Sequence, residues 1–200
     1  MLQPDSKRLP GGREAALELL HEYTKKAGLI GHALAVEAAC AAYANKLGGD
    51  PVAWGLVGLL HDFDYERWPS TDDHPFRGVE ILEQRGYPEW FRRAILSHAD
   101  YSGVSRESPL EKALFACDEL SGFLTACALV TPTRSLHDVK VKSVKKKLKS
   151  KGFAASVNRE DIHQGAAELG VVLDDHISFV LNALCGISES LGLAGSPQAE

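Results

Sequence analysis

The sequence predicts an all-α protein, a single helical bundle of about eight or nine helices, given the usual helix length of about 11–12 residues. Three observations lead to this fold class. Proline follows a capping position at several expected helix starts, and glycine closes several of the segments between them. Apolar residues recur at helical spacing, and no segment shows the apolar–polar alternation of a half-buried strand.

Start and stop signals place the elements in order. Proline is tolerated at the first helical position because the N–H that it lacks would have no partner within the helix there. Glycine just past the last turn can adopt the left-handed backbone that ends many helices. The four expected starts are Asp50-Pro51, His74-Pro75, Tyr87-Pro88 and Ser108-Pro109. The expected stops are Gly48, Gly86, Lys151-Gly152 and Gly170, and Asn158 with Asp161 resembles a capping arrangement that begins one more helix.

Apolar stripes at spacings of three and four residues support four of these helices. The stripes are Val36, Ala39, Cys40, Tyr43 and Leu47; Trp54, Val57, Gly58 and His61; Phe91, Ile95 and His98; and Leu110, Leu114, Cys117 and Ser121. Two of the stripes end on a histidine. This makes the ends of those helices the first places to look for chemistry.

The domain prediction is one helical unit over residues 1–200, with a core at 28–131, C-terminal helices at 132–192 and a disordered tail after 192. A chain of 200 residues can bury a large core without a disulfide or a structural metal. Any metal ion is therefore expected to be functional.

The cysteines and the N-terminus indicate a cytoplasmic protein. None of the four cysteines forms a C-x-x-C pair, and the first residues lack the apolar segment of a signal peptide. The longest uninterrupted apolar runs fall short of the ~20 residues that a membrane span needs. No membrane association is expected.

The charge is distributed unevenly. Residues 134–151 contain one arginine and seven lysines against one aspartate, so this segment carries +7 while the whole chain carries −5 and the remainder −12. A basic patch on an acidic body favours a small anionic ligand over a nucleic-acid polymer. The alternative is that the lysines form only a solvated helix face.

The residues that could carry chemistry lie on buried helix faces. His32 begins one stripe, His61 and Asp62 end the very apolar segment VAWGLVGLLHD, His98 ends another helix, and Asp118 lies within a third. Buried polar groups need partners, and one divalent cation would satisfy several of them. Imidazole with carboxylate suits Fe, Mn, Ni, Zn or Co. A single histidine of this kind is more often a core residue that is hydrogen-bonded locally.

The ordered set His32, His61-Asp62 and Asp118 resembles the signature of the HD-domain phosphohydrolases, and GLLHDFDYE is close to the way that family writes its motif. The resemblance covers roughly Gly31 to Thr131. The stretch from Leu56 to Arg159 also resembles a group of bacterial proteins known only as predicted HD-superfamily hydrolases. The resemblance to the HD signature implies that His32, His61, Asp62 and Asp118 bind metal, with the aspartate of the HD pair bridging to a second ion.

Two further histidines bear on the number of metal ions. His74, in an HPxxG context, and His98 resemble the extra histidines of the dinuclear HD enzymes, which include cyclic-dinucleotide phosphodiesterases and symmetrical dinucleoside tetraphosphatases. Two divalent transition-metal ions per chain are therefore expected. The alternative is that His74 caps its helix while His98 contacts substrate or water.

The resemblance also implies a mechanism, in which a metal-bound hydroxide attacks phosphorus and His61 and Asp62 are catalytic because they hold the ion. Neighbouring acids that could orient the ligand histidines are Asp64, Glu66 and Glu119. The residues expected to hold the phosphorylated substrate are Lys142, Lys145, Lys146, Arg134 and Arg159. Tyr65 or Trp68 could form a wall of the pocket, with a plain surface loop as the alternative.

Two other functions use the same features. A branch of the HD superfamily uses a di-iron site with these ligand types for oxygen-dependent C–H cleavage. The second alternative is a non-catalytic module that binds nucleotides. A third is a plain helical scaffold, in which the spacing of the histidines would be a coincidence. The substrate, the physiological metal and the oligomeric state do not follow from spacing.

Overall fold

The all-α prediction is confirmed. A computed structural model describes residues 4–195, and within this range it contains nine α-helices, three short 3₁₀ segments and no β-strand. The helices are α1 (Gly12–Tyr23), α2 (Ala27–Leu47), α3 (Pro51–Leu60), α4 (Phe76–Gln84), α5 (Glu89–Ser97), α6 (Pro109–Leu129), α7 (Val141–Leu148), α8 (Arg159–Glu168) and α9 (Leu173–Cys185).

Contacts divide the chain into two compact units, Met1–Phe115 and Ala116–Glu200, with the boundary inside α6. In the first unit α2 and α1 pack against α3, and α5 contacts both α3 and α4. In the second unit α7 and α8 each contact α9. The expectation of a single domain with its core at 28–131 stays a prediction.

The helix boundaries follow the sequence signals closely. Asp50 is the N-cap of α3, where its side chain accepts hydrogen bonds from the N–H groups of Val52 and Ala53. Asn158 caps α8 by accepting from Glu160 N–H. Pro75 and Pro88, expected at the first helical position, instead occupy the N-caps of α4 and α5. A shift of one residue is of the size by which helix ends vary.

Helix α2 combines length with low polarity. Among the described helices it is the one that is long and apolar enough, by length and composition alone, to cross a membrane, although it contains no uninterrupted apolar run of that length. Seven of its residues are buried, and it packs along α3 within the first unit. We therefore assign α2 to the core of that unit.

Leu193 and Ala194, which lie in the tail expected to be disordered, contact an earlier part of the chain. Leu193 is 3% exposed, and its carbonyl accepts a hydrogen bond of 2.9 Å from Leu136 N–H. The Ala194 carbonyl accepts from Ser135 Oγ at 3.1 Å. Residues 193–194 are thus hydrogen-bonded to residues 135–136, and the expectation of a disordered tail after 192 stays a prediction; residues 196–200 lie outside the described range.

Gly58 fixes the distance between α2 and α3. A Cβ at this position would lie 2.7 Å from the Val36 carbonyl oxygen and 2.9 Å from its carbon. These are backbone atoms, so only a movement of one helix relative to the other could accommodate it. The close approach is what lets side chains at the beginning of α2 meet those at the end of α3.

Gly58→Ala is expected to lower the free energy of unfolding by about 1–3 kcal/mol, because overpacking forces the backbones apart. Gly55→Ala is a matched control on the same helix, since its Cβ would meet Glu37 and Ala41 at 3.4 Å or more. That variant should be neutral or more stable by up to about 1 kcal/mol, from helix propensity. Chemical denaturation measures both, and equal losses would contradict the account of Gly58.

Candidate metal centre

Five of the six predicted metal ligands come together in the first unit. His32 extends from the beginning of α2, and His61 is the C-cap of α3 with Asp62 next to it. His74 lies in the turn before α4, and His98 is the C-cap of α5. Four separate chain segments therefore supply one cluster.

Asp62 lies at the centre of this cluster. Its Oδ2 is 3.5 Å from His61 Nε2, which is in turn 3.3 Å from His32 Nε2. Its Oδ1 is 3.2 Å from His74 Nε2 and 3.3 Å from His98 Nε2. One carboxylate oxygen thus faces each pair of histidines, so the cluster consists of two adjacent triads that share Asp62.

Local hydrogen bonds fix the ring orientation of two of the histidines. His61 Nδ1 lies 2.8 Å from the Gly58 carbonyl, and His98 Nδ1 lies 2.5 Å from the Ile95 carbonyl. A carbonyl can only accept, so Nδ1 carries the proton and Nε2 presents its lone pair to the cluster. Both residues are helix C-caps that donate to the carbonyl three positions back.

His74 is oriented by a buried carboxylate. Asp64 is fully buried, and its Oδ1 accepts from His74 Nδ1 at 2.8 Å while its Oδ2 accepts from Gly78 N–H at 2.8 Å. A Cβ on Gly78 would lie 2.8 Å from Asp64 Cγ. The glycine of HPxxG is therefore needed so that the first turn of α4 can approach the carboxylate that holds the histidine.

The electrostatics of the cluster favour ionised aspartate and protonated His74 in the absence of metal. Burial alone would lower the pKa of His74, but hydrogen bonds to Asp62 and Asp64 outweigh it and raise this pKa to about 9. Burial would raise the pKa of Asp62, but His61, His74 and His98 hold it well below the ordinary value. A metal ion that binds His74 must displace this proton.

The donor set fits divalent transition metals. Four imidazoles and a carboxylate, grouped in two triads that share the carboxylate, are the ligands that such ions select, whereas calcium and magnesium prefer oxygen. His61, His74 and His98 are each at most 8% exposed, and Asp62 stays 23% exposed. The cluster is thus mostly buried, with its central carboxylate still open to solvent.

The loop after the HD pair holds the beginning of α2. Thr24 Oγ1 donates to the Phe63 carbonyl at 2.8 Å, and Glu66 Oε2 accepts from the N–H groups of Lys25 and Lys26 at 2.7 and 2.9 Å. Glu66 therefore caps α2 and does not orient a ligand histidine. By anchoring this end of α2 to the loop, it helps place His32 beside His61.

Tyr65 lies at the edge of the cluster. Its ring centroid is 5.3 Å from that of His74, at an interplanar angle of 83°, and the residue is 40% exposed. Trp68, the other aromatic residue of this loop, packs against Tyr23 at a centroid distance of 6.0 Å. Of the two, Tyr65 is the one that contacts a cluster histidine.

Asp118 was predicted as a metal ligand, and Glu119 as an acid that could orient a ligand histidine. Both belong to the second unit, where they lie half-buried on α6. The expectation that Asp118 binds metal therefore stays a prediction. Metal content in an Asp118→Ala variant would test it.

The basic residues expected to hold substrate also belong to the second unit. Lys142, Lys145 and Lys146 line one groove, and they share it with Lys149, which was not among the expected substrate-binding residues. Arg134 is exposed on a left-handed backbone with φ 54°. These positions are compatible with anion binding, and their role in substrate binding stays a prediction.

Arg159 is engaged elsewhere. Its guanidinium donates to the carbonyls of Phe153, Val157 and Ala154, the last at 2.7 Å, and lies over the Phe123 ring. These contacts fold the loop before α8 onto the helix. A phosphate grip by Arg159 would require the loss of these hydrogen bonds, so its position argues for a structural role.

The comparisons with known proteins give one family. Residues 29–122 match the family model described as HD domain. This range contains all five clustered residues and Asp118. No curated protein and no solved structure matches the chain.

Proposed function

The chain belongs to the HD-domain superfamily, and from that premise we propose that it is a metal-dependent phosphohydrolase acting on a small phosphate-containing substrate, such as a nucleotide, cyclic nucleotide or dinucleotide. The observation that carries the proposal is the position of Asp62, whose two oxygens face two pairs of histidine nitrogens. A carboxylate in this position suits a dinuclear site.

Each triad would hold one divalent ion, drawn from Fe, Mn, Ni, Co or Zn. His32, His61 and Asp62 Oδ2 form the first, and His74, His98 and Asp62 Oδ1 form the second. When bound, such ions lower the pKa of a coordinated water towards neutrality and neutralise charge on phosphoryl oxygens.

The protein itself contributes orientation. The carbonyls of Gly58 and Ile95 and the carboxylate of Asp64 hold the ring protons of three histidines on the side away from the cluster. Ligands fixed in this way are positioned before the substrate arrives. The exposed fraction of Asp62 leaves one side of the cluster open for a phosphoryl group.

Tyr65 is the residue that we propose to contact the organic part of the substrate, because it is exposed and lies against His74. Tyr65→Ala is expected to raise KM by about 5- to 100-fold, the range that corresponds to stacking of a base on an aromatic ring. Tyr65→Phe keeps the ring and should stay close to wild type. A loss of equal size in both variants would assign the role to the hydroxyl.

The proposed activity is tested by removing metal, adding back Mn or Fe, and assaying release of product from phosphomonoesters, cyclic nucleotides and dinucleotides. We expect turnover of one class with the wild type and none with His61→Ala. Oxygen consumption together with a mixed-valent iron signal would favour the di-iron oxygenase instead. Tight nucleotide binding without turnover in any metal would favour the binding module.

A further inference from the structure

A basic groove lies wholly within the second unit. It has a volume of about 610 Å³ and is bordered by α7 and the first turn of α9. Its lining residues are Val141, Lys142, Lys145, Lys146, Lys149 and Asp174.

Three of the lysines share one face of α7, and Lys149, the C-cap of this helix, continues the same face. Their spacings of three, four and seven residues bring them to the same side of the helix, and all four are exposed. From Lys142 to Lys149 the helix rises about 10 Å, at about 1.5 Å per residue. Like charges at these spacings repel one another, so the arrangement is unfavourable unless an anion neutralises it.

The groove keeps a positive charge after its internal pairing is counted. Lys145 Nζ is 2.8 Å from Asp174 Oδ2, and Asp174 is the one carboxylate among the described lining residues. Four lysines against one aspartate leave +3.

We propose that this groove binds an oligophosphate, a chain of three or more linked phosphates that is either free or carried by a nucleotide. The elongated row of lysines matches an extended polyanion better than a single phosphate. Lysine ammonium groups act as point charges and tolerate several phosphate orientations, which suits a flexible chain. The groove belongs to one unit by itself, so binding does not require the metal centre, and the proposal is independent of the hydrolase function.

The test is calorimetric titration of inorganic tripolyphosphate into the EDTA-treated full chain at low salt. We expect saturable binding that weakens as salt is raised. Lys142→Gln combined with Lys146→Gln should weaken the affinity at least about tenfold, a change of about 1.4 kcal/mol. Lys147→Gln is the matched control, because Lys147 lies on the same helix, does not line the groove and contacts Ser143; its affinity should stay within about twofold of wild type.

Other outcomes separate the possible sources. ATP that binds as tightly as tripolyphosphate, or more tightly, supports the groove and identifies a nucleotide as a suitable carrier. Absence of tripolyphosphate binding, or an equal loss in Lys147→Gln, would overturn the proposal. Single-stranded RNA that binds in proportion to its length, while tripolyphosphate does not compete with it, would identify a nucleic-acid surface instead. His61→Ala should bind tripolyphosphate like the wild type, so failure of the hydrolase proposal leaves this result unchanged.

Discussion

Asp62→Asn is expected to abolish stable binding of both ions of the proposed dinuclear site and to lower the proposed phosphohydrolase activity by at least about 100-fold. Loss of a residue that only orients a ligand costs about 10- to 100-fold, and Asp62 would be a ligand itself. Asp62 contacts both pairs of histidines, and its negative charge offsets the charge of any ion bound there. An amide supplies one oxygen and no charge, so neither triad keeps its anionic ligand. Elemental analysis and the rate of phosphate release measure the two effects.

Asp72→Asn is the matched control for this prediction. Asp72 is an exposed carboxylate in the turn that leads to His74, and it lies outside both triads. The variant should keep the metal content and the activity of the wild type. Equal metal content in Asp62→Asn and Asp72→Asn would show that Asp62 does not hold the ions.

Asp64→Ala has the second largest expected effect. It leaves the N–H of Gly78 and the ring N–H of His74 unpaired in a buried position, which costs about 1–3 kcal/mol of unfolding free energy for each group. Loss of an orienting acceptor behind a ligand histidine typically weakens metal affinity about 10- to 100-fold. Denaturant unfolding and titration against a competing chelator report the two quantities.

The metal dependence of activity separates positioning by Asp64 from a general loss of structure. If Asp64 only orients His74, the variant should recover most of its activity at saturating metal, and Asp64→Asn, which keeps one acceptor, should need less metal than Asp64→Ala. An Asp64→Ala protein that binds metal as tightly as the wild type would rule out the positioning role.

Much of the fold follows from local rules. Asp50-Pro51, Gly48 and Asn158 act where the chain leaves one helix and enters the next, because capping and left-handed turns depend on near neighbours in sequence. The cluster of histidines was also predictable in outline. His61 and His98 end apolar helical stripes, and polar residues at the ends of buried helix faces point towards a common interior.

The parts that were not predictable depend on irregular backbone. Asp64 and Glu66 are two residues apart and looked equivalent as partners for a ligand histidine, yet one contacts His74 and the other caps α2. The turn between them decides this, and no periodicity describes it. The role of Arg159 was not predictable for the same reason. Its guanidinium binds carbonyl groups of an irregular loop, and such an arrangement has no recognisable sequence pattern.

The measurement that tests the central claim most directly is the number of transition-metal ions per chain after anaerobic purification, in the wild type and in His32→Ala and His74→Ala. Two adjacent triads that share Asp62 predict two ions in the wild type and about one in each variant, with a different histidine pair left to hold it. A single ion in the wild type that His74→Ala does not affect would contradict the dinuclear site. No ion, and no uptake of added Mn, Fe, Co or Ni, would contradict the metal centre altogether.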